Sequence, residues 1–263
     1  MNDQPPRRRY RHFSELPYSL RSLYTATLLI LGMGYLFALA NIYFSYAGKA
    51  GGNPLMLSYE DIVVGYAGNE KGSIIESALN GPMSAMAPPD ERSAIIAWVR
   101  AGASQASYLS EIKPILDQRC MACHDGSNPQ LTNLSTYDGL KKVAEVDTGP
   151  SAATLVRYSH IHLFGIAFIF FAMGLMFSHA YVRPVWFKSA VIVTPFATLA
   201  LDIGSMFFIR LYHPFAAVTI ASGAVTAACF AIMWLITMYQ MWFSKPPEAI
   251  LRRMGGDLPD EAT

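Results

Sequence analysis

Charge is scarce in this sequence and neither sign dominates: 20 Lys and Arg stand against 19 Asp and Glu in 263 residues, for a net charge of +1. A nucleic-acid partner would require a basic surface, so that class is set aside. Cysteine is scarcer, with three residues. Structural zinc needs four ligands, and no second ligand pair lies near Cys120 and Cys123. A thioredoxin-like dithiol would sit in a βαβ setting, which the pattern does not offer. No internal repeat is evident.

Charge is missing altogether from Leu23 to Phe44 and from Phe215 to Tyr239. Each stretch meets the roughly 20 apolar residues that a spanning helix requires. Ile161 to Ala180 and Ser189 to Phe208 qualify with few polar interruptions. Four membrane helices are therefore expected. Cys229, in an alanine-rich span, reads as a small buried hydrophobe.

Arg7, Arg8, Arg9 and Arg11 precede the first span, and basic flanks stay on the cytoplasmic side. Ala38-Leu39-Ala40 could serve as a signal-peptide cleavage site, but the apolar run continues through Ile42 and Phe44, so an uncleaved anchor is expected. The order is then a cytoplasmic basic N-terminus (1–22), an anchor helix (23–44), an external domain (45–157), a three-helix membrane block (158–242) and a cytoplasmic tail (243–263). Arg183 and Lys188 fall in a cytoplasmic turn, and Lys245, Arg252 and Arg253 in the tail, as the same rule requires. Gly255, Gly256, Asp257 and Pro259 read as a disordered end. Tyr181, Trp186, Trp234 and Trp242 suit interfacial aromatic belts.

The external segment carries Cys120-Met121-Ala122-Cys123-His124. Two thiols on one tight turn can form thioethers with the two vinyl groups of one porphyrin, and the following histidine reaches the iron. One covalent haem c is expected, held by Cys120, Cys123 and His124. Bacteria attach c-type haem outside the cytoplasmic membrane, which agrees with the topology. Asn133-Leu134-Ser135 matches the glycosylation pattern, a pattern common by chance.

Tyr108 to His124 resembles the opening of a small class I-type cytochrome c, in which an amphipathic first helix delivers the haem motif. Ile112, Ile115 and Leu116 recur at helical spacing, as that helix requires. Gly72 to Leu79, Met83-Ser84-Ala85-Met86-Ala87-Pro88-Pro89 and Ser93 to Gly102 resemble the family's closing portion, where a methionine before prolines precedes a final helix. The order is circularly permuted, which neighbouring domain termini make tolerable. The resemblance implies Met86 as the distal axial ligand, its loop stiffened by prolines, with Met83 second; the alternative is a methionine that only packs a loop. Trp98 and Ile95 would pack beside the macrocycle, and Leu131, Leu134, Tyr137 and Leu140 would be core.

His160, His162, Asp202, Arg210 and His213 lie near the outer half of the last three spans, where ionisable groups call for a functional reading. His162 shares a face with Gly165 and Ala172 and is expected to point into the bundle, with His160 turned elsewhere. His213 heads a stripe of Ala217, Ala221, Ala224 and Ala228, also expected to be buried. Thr198, Asp202 and Ser205 make a polar face. Three readings stay open: a b-type haem on His162 and His213 with Arg210 near its propionates, a quinol pocket using His162 and Asp202, or interhelical hydrogen bonding and snorkelling. His179 should be interfacial.

The expectation is an all-α bacterial inner-membrane protein with four transmembrane helices and a small cytochrome c-like domain in the periplasm. It would be an electron-transfer subunit of a respiratory or photosynthetic chain, not a stand-alone catalyst. Its partners would be membrane lipid, oxidoreductase subunits or a periplasmic electron carrier, and in one reading quinol. A haem-based sensor ranks last, because the tail contains no output domain.

Overall fold

A computed structural model describes residues 11–247 except Pro54, Gln130 and Lys245, with only the backbone of Glu70. Arg7, Arg8, Arg9, Lys245, Arg252 and Arg253, together with Gly255, Gly256, Asp257 and Pro259, lie outside the described residues. After a 3-10 turn at Phe13–Glu15 come α1 (Tyr18–Tyr46), α2 (Tyr59–Ala67), β1 (Asn69–Ser73), α3 (Ile74–Asn80) and α4 (Pro89–Arg100). Then follow α5 (Gln105–Ser107), a π turn at Tyr108–Ile112, α6 (Lys113–Arg119), α7 (Met121–His124), α8 (Tyr137–Val143) and β2 (Val146–Asp147). The chain closes with α9 (Ala152–Ser178), α10 (Val185–Phe208) and α11 (Phe215–Trp242).

α1, α9, α10 and α11 are 29, 27, 24 and 28 residues long. At about 1.5 Å per residue each exceeds the roughly 30 Å hydrocarbon core. The protein is an all-α, multi-pass membrane protein, and among the described residues the β structure is the two-stranded pair β1–β2. α9 starts well ahead of the expected Ile161, because Ala152 to His160 holds nothing that breaks a helix.

Two compact units make up the chain. The first takes in residues up to Phe37, Val156–Ser205 and the chain from Ala217. Its core gathers Phe13, Leu28, Phe170, Met173, Phe177, Phe230 and Met233, with Cys229 buried beside them. Gly32 admits the Trp234 indole, which donates to the Leu28 carbonyl at 2.8 Å. Tyr35 stacks on Phe230 with ring centroids 4.3 Å apart. Trp234 therefore packs inside the bundle and not in an interfacial belt, since a glycine opposite leaves room for an indole and a free carbonyl lone pair holds it. Trp186 and Trp242 are exposed as belts require, and His179 Nδ1 donates to the Arg11 carbonyl at 2.7 Å.

The second unit spans Ala38–Leu155 and Met206–Ala216. Its core joins Ile75, Leu79, Ile95 and Trp98 to Tyr108, Ile112, Leu116, Leu134 and Leu140. The two stretches read from sequence as closing and opening portions thus share one apolar interior. β1 and β2 pair antiparallel with Asn69 opposite Asp147, so the start and end of this stretch meet. Gly68 (φ +86°) and Gly149 (φ +71°) flank that meeting; a side chain on either would strike the opposing backbone, at 2.2 Å and 2.6 Å.

Candidate functional site

α6 delivers Cys120. Leu116 on its buried face packs into the core with Ile112 of the preceding π turn, and the Cys120 amide donates to the Leu116 carbonyl at 2.8 Å. The next turn is closed by Cys123 N–H and His124 N–H donating to the Cys120 carbonyl at 3.2 and 2.9 Å. Both thiols are free, Cys120 half-buried and Cys123 exposed. Burial pushes the Cys120 thiol above its ordinary pKa, and the Glu91 carboxylate adds to this.

The chain then doubles back. Leu134 N–H donates to the His124 carbonyl at 2.9 Å, and His124 Nδ1 lies 2.8 Å from the Thr132 carbonyl oxygen. A carbonyl can only accept, so Nδ1 carries the proton and Nε2 keeps its lone pair. A backbone carbonyl behind a ligating histidine fixes tautomer and ring orientation in this way. Asp125, next along, is held below the usual carboxylate range by the Ser127 hydroxyl and amide.

The methionine loop is anchored at both ends. Arg92 Nη1 donates to the Leu79 carbonyl at 3.0 Å, Met83 N–H to Ala78 at 2.8 Å and Met86 N–H to Met83 at 3.0 Å. Pro88 and Pro89 then open α4, Pro89 filling a first-turn position where its missing N–H is harmless. Glu91 of that turn receives a forked pair of hydrogen bonds from Arg119, at 2.8 and 2.9 Å. Arg119 immediately precedes Cys120, so this pair ties the methionine loop to the start of the C-x-x-C-H turn. Met86 is 57% exposed and Met83 36%, so neither residue is packed into the core.

Ile95, Trp98, Leu134 and Leu140 are buried, and Trp98 Nε1 donates to the Ser104 carbonyl at 3.0 Å. Leu131 departs from the expected core: it is exposed, because it lies in the turn between α7 and α8 and not on a helix face. Among the described residues, no group of three or more His, Cys, Asp or Glu side chains gathers as a bare-metal site.

The membrane residues divide between the units. Arg210 donates to the Thr148 and Pro150 carbonyls, and the His213 carbonyl accepts from the Tyr59 hydroxyl at 2.8 Å. His213 itself is exposed. In the other unit His162 is exposed and not directed inward as its spacing had indicated. Its Nδ1 donates to the Tyr158 carbonyl at 2.8 Å. The Ala217, Ala221, Ala224 and Ala228 stripe is exposed too. The buried face of α11 is instead Ser222, Cys229, Phe230, Met233 and Thr237, where bulkier side chains fill the interior. Thr198 pairs with Thr226 at 2.7 Å, and Ser205 with Thr219 at 2.6 Å. These are interhelical hydrogen bonds of the kind expected for the polar face.

Two site features were not read from sequence. The Arg119–Glu91 pair had a signal, opposite charges flanking the two motifs. The Thr132 carbonyl had none, since every residue carries one.

Residues 136–248 match the model of a family described as a transmembrane helical domain, Aq_1264_TM. No curated protein and no solved structure matches the chain.

Proposed function

We propose that the protein is a membrane-anchored c-type cytochrome carrying electrons in a respiratory or photosynthetic chain, as a subunit of a larger oxidoreductase complex. Cys120 and Cys123 would hold one haem covalently, with His124 and Met86 as axial ligands and Met83 as the second choice for the distal position. When bound, the haem supplies one-electron chemistry between ferrous and ferric iron. His124 presents Nε2 because Thr132 takes up Nδ1, and the Arg119–Glu91 pair holds the methionine loop near the attachment turn. The observation that carries the reading is the tautomer imposed on the C-x-x-C-H histidine. A proton on Nδ1 is what an Nε2 ligand needs.

The domain would lie in the periplasm of a bacterial inner membrane, with both chain termini cytoplasmic. A periplasmic electron carrier or neighbouring complex subunits would exchange electrons with it. With His124 and Met86 both held to the iron no coordination position would stay open, so the role would be transfer and not catalysis.

The test is a redox-resolved optical spectrum of the purified full chain, with a pyridine-haem assay of haem type and stoichiometry. One c-type haem per chain with a methionine-to-iron charge-transfer band is expected. Protein purified from cells competent in haem c maturation that carries no covalent haem would overturn the reading.

A further inference from the structure

The loop between α1 and α2 holds the longest unbroken run of exposed large apolar side chains among the described residues. Leu55, Met56 and Leu57 are 76%, 67% and 41% exposed, and all three lie outside the spanning helices. A surface that faces only water seldom keeps such a run, because each apolar side chain left in water forgoes the free energy of its burial. From Ala50 to Tyr59 the chain carries no charge.

The run forms the tip of a loop that is pinched at its base. The Asp61 carboxylate, 1% exposed, accepts from the Ala50 amide through one oxygen at 2.8 Å and from the Ser58 amide through the other at 2.9 Å. At the tip, Leu55 N–H donates to the Asn53 side-chain oxygen at 2.9 Å and Met56 N–H to the Asn53 carbonyl at 3.0 Å. Amides paired within the chain need no water, which is the condition for main chain to enter a less polar layer.

One hydrogen bond sets the height of the loop. The Tyr59 hydroxyl donates to the His213 carbonyl at 2.8 Å, in the turn that joins α10 to α11. The end of α1 from Ala38, the end of α10 from Met206 and the start of α11 belong to the same compact unit as the loop. The tip is two to four residues from Tyr59, so it reaches at most about 14 Å along the chain from that anchor. Exposed apolar side chains run on from Phe208 at the end of α10 to Leu211 and Tyr212 in the turn, 79% and 62% exposed. The lipid-facing surface of the spans thus continues to the residue that Tyr59 holds, and tyrosine is a residue suited to the membrane interface.

We infer that Leu55, Met56 and Leu57 insert into the bilayer as a shallow anchor, in the leaflet at which α1 ends. The occupant of this surface is membrane lipid: the three side chains enter the acyl region beneath the headgroups, while Asn53 keeps the tip amides paired. Interfacial segments of this kind sit about 5–10 Å into the boundary between headgroups and acyl chains. The loop gives the second unit a point of contact with the membrane besides the helix ends. It requires no haem and is independent of the cytochrome reading.

The test is photo-crosslinking of the full chain in vesicles of tritiated dioleoylphosphatidylcholine, with p-benzoylphenylalanine replacing Met56. The same probe replacing Leu36, 67% exposed on α1, reports ordinary contact with lipid. Transfer of lipid label to the protein is expected from both positions. Leu55→Asp together with Leu57→Asp should cut the label at position 56 about tenfold or more, because charge replaces the apolar surface that inserts, and should leave position 36 unchanged. Leu55→Ile together with Leu57→Ile keeps the apolar surface and should keep the label. The substituted side chains are exposed, and helix content and monodispersity are checked for every variant. Absence of label at position 56 while position 36 is labelled overturns the anchor, as does label that survives the double aspartate substitution. A cross-linked dimer in place of labelled lipid assigns the surface to a second copy of the chain and overturns it too. Absence of haem c would sink the cytochrome reading and leave this result unchanged.

Discussion

Leu116→Ala tests whether the two halves of the second unit's core are one folding unit. Leu116 is 1% exposed and shares its core with Ile95 and Trp98 of α4, which come earlier in the chain. Truncating a buried leucine costs about 3 kcal/mol, within a range of about 2–5, because the cavity collapses only partly. At about 1.4 kcal/mol per factor of ten, amides that exchange through opening of the whole domain should lose about two decades of protection. Hydrogen–deuterium exchange of the full chain in detergent reads this by segment. The expectation is an equal loss in α4 and in α6, although only α6 carries the substitution. If α6 and α8 lose protection while α4 keeps its own, the halves are separate units and the single core is refuted.

Burial holds the His12 imidazole below its ordinary value, against the Gln240 hydrogen bond and the Glu15 charge that raise it, with His179 and Arg21 lowering it further. The unfolded chain then binds more protons, so this contribution is present above about pH 6.5 and lost as pH falls towards the folded value. Thermal melts between about pH 7.5 and 5.5 should therefore fall, and His12→Asn, which keeps a capping oxygen, should flatten that dependence. Gly32→Val would place Cβ 2.9 Å from Trp234 Nε1 and should destabilise the bundle by about 1–3 kcal/mol, read as a lowered melting temperature in detergent. Trp234→Phe keeps the packing, loses the bond to Leu28 and should cost about 1 kcal/mol in the same assay. Glu91→Gln should reduce exchange protection at Met83 to Ala87, and the exchange Arg119→Glu with Glu91→Arg should restore part of it.

The apolar spans could be read directly, because a stretch such as Phe215 to Tyr239 offers water no charge to solvate. Ile112, Ile115 and Leu116 followed from periodicity, and Ile112 and Leu116 are buried with Ile115 half-buried beside them; Ile95 and Trp98, expected from the family resemblance, are buried too. Periodicity, however, states which residues share a face and not what that face meets. That is why His162 and the alanine stripe of α11 were assigned inward and are exposed. Small residues permit close approach without attracting a neighbour, whereas Phe230 and Met233 have surface to bury. Arg210 and His124 show a second limit. Each is held by main-chain carbonyls, of Thr148 and Pro150 in one case and Thr132 in the other. Which carbonyl comes within reach is decided by the loop path, to which the sequence pattern gives no key.

The pairing of Asn69 with Asp147, pressed close by Gly68 and Gly149, also has a bearing on how the chain folds. Everything from β1 to β2 enters and leaves through a single narrow gate. For α2 and α9, the helices on either side, the stretch between the strands is therefore equivalent to closing a loop only a few residues wide. The closure entropy of that loop does not depend on how many residues lie beyond the gate once they fold on themselves.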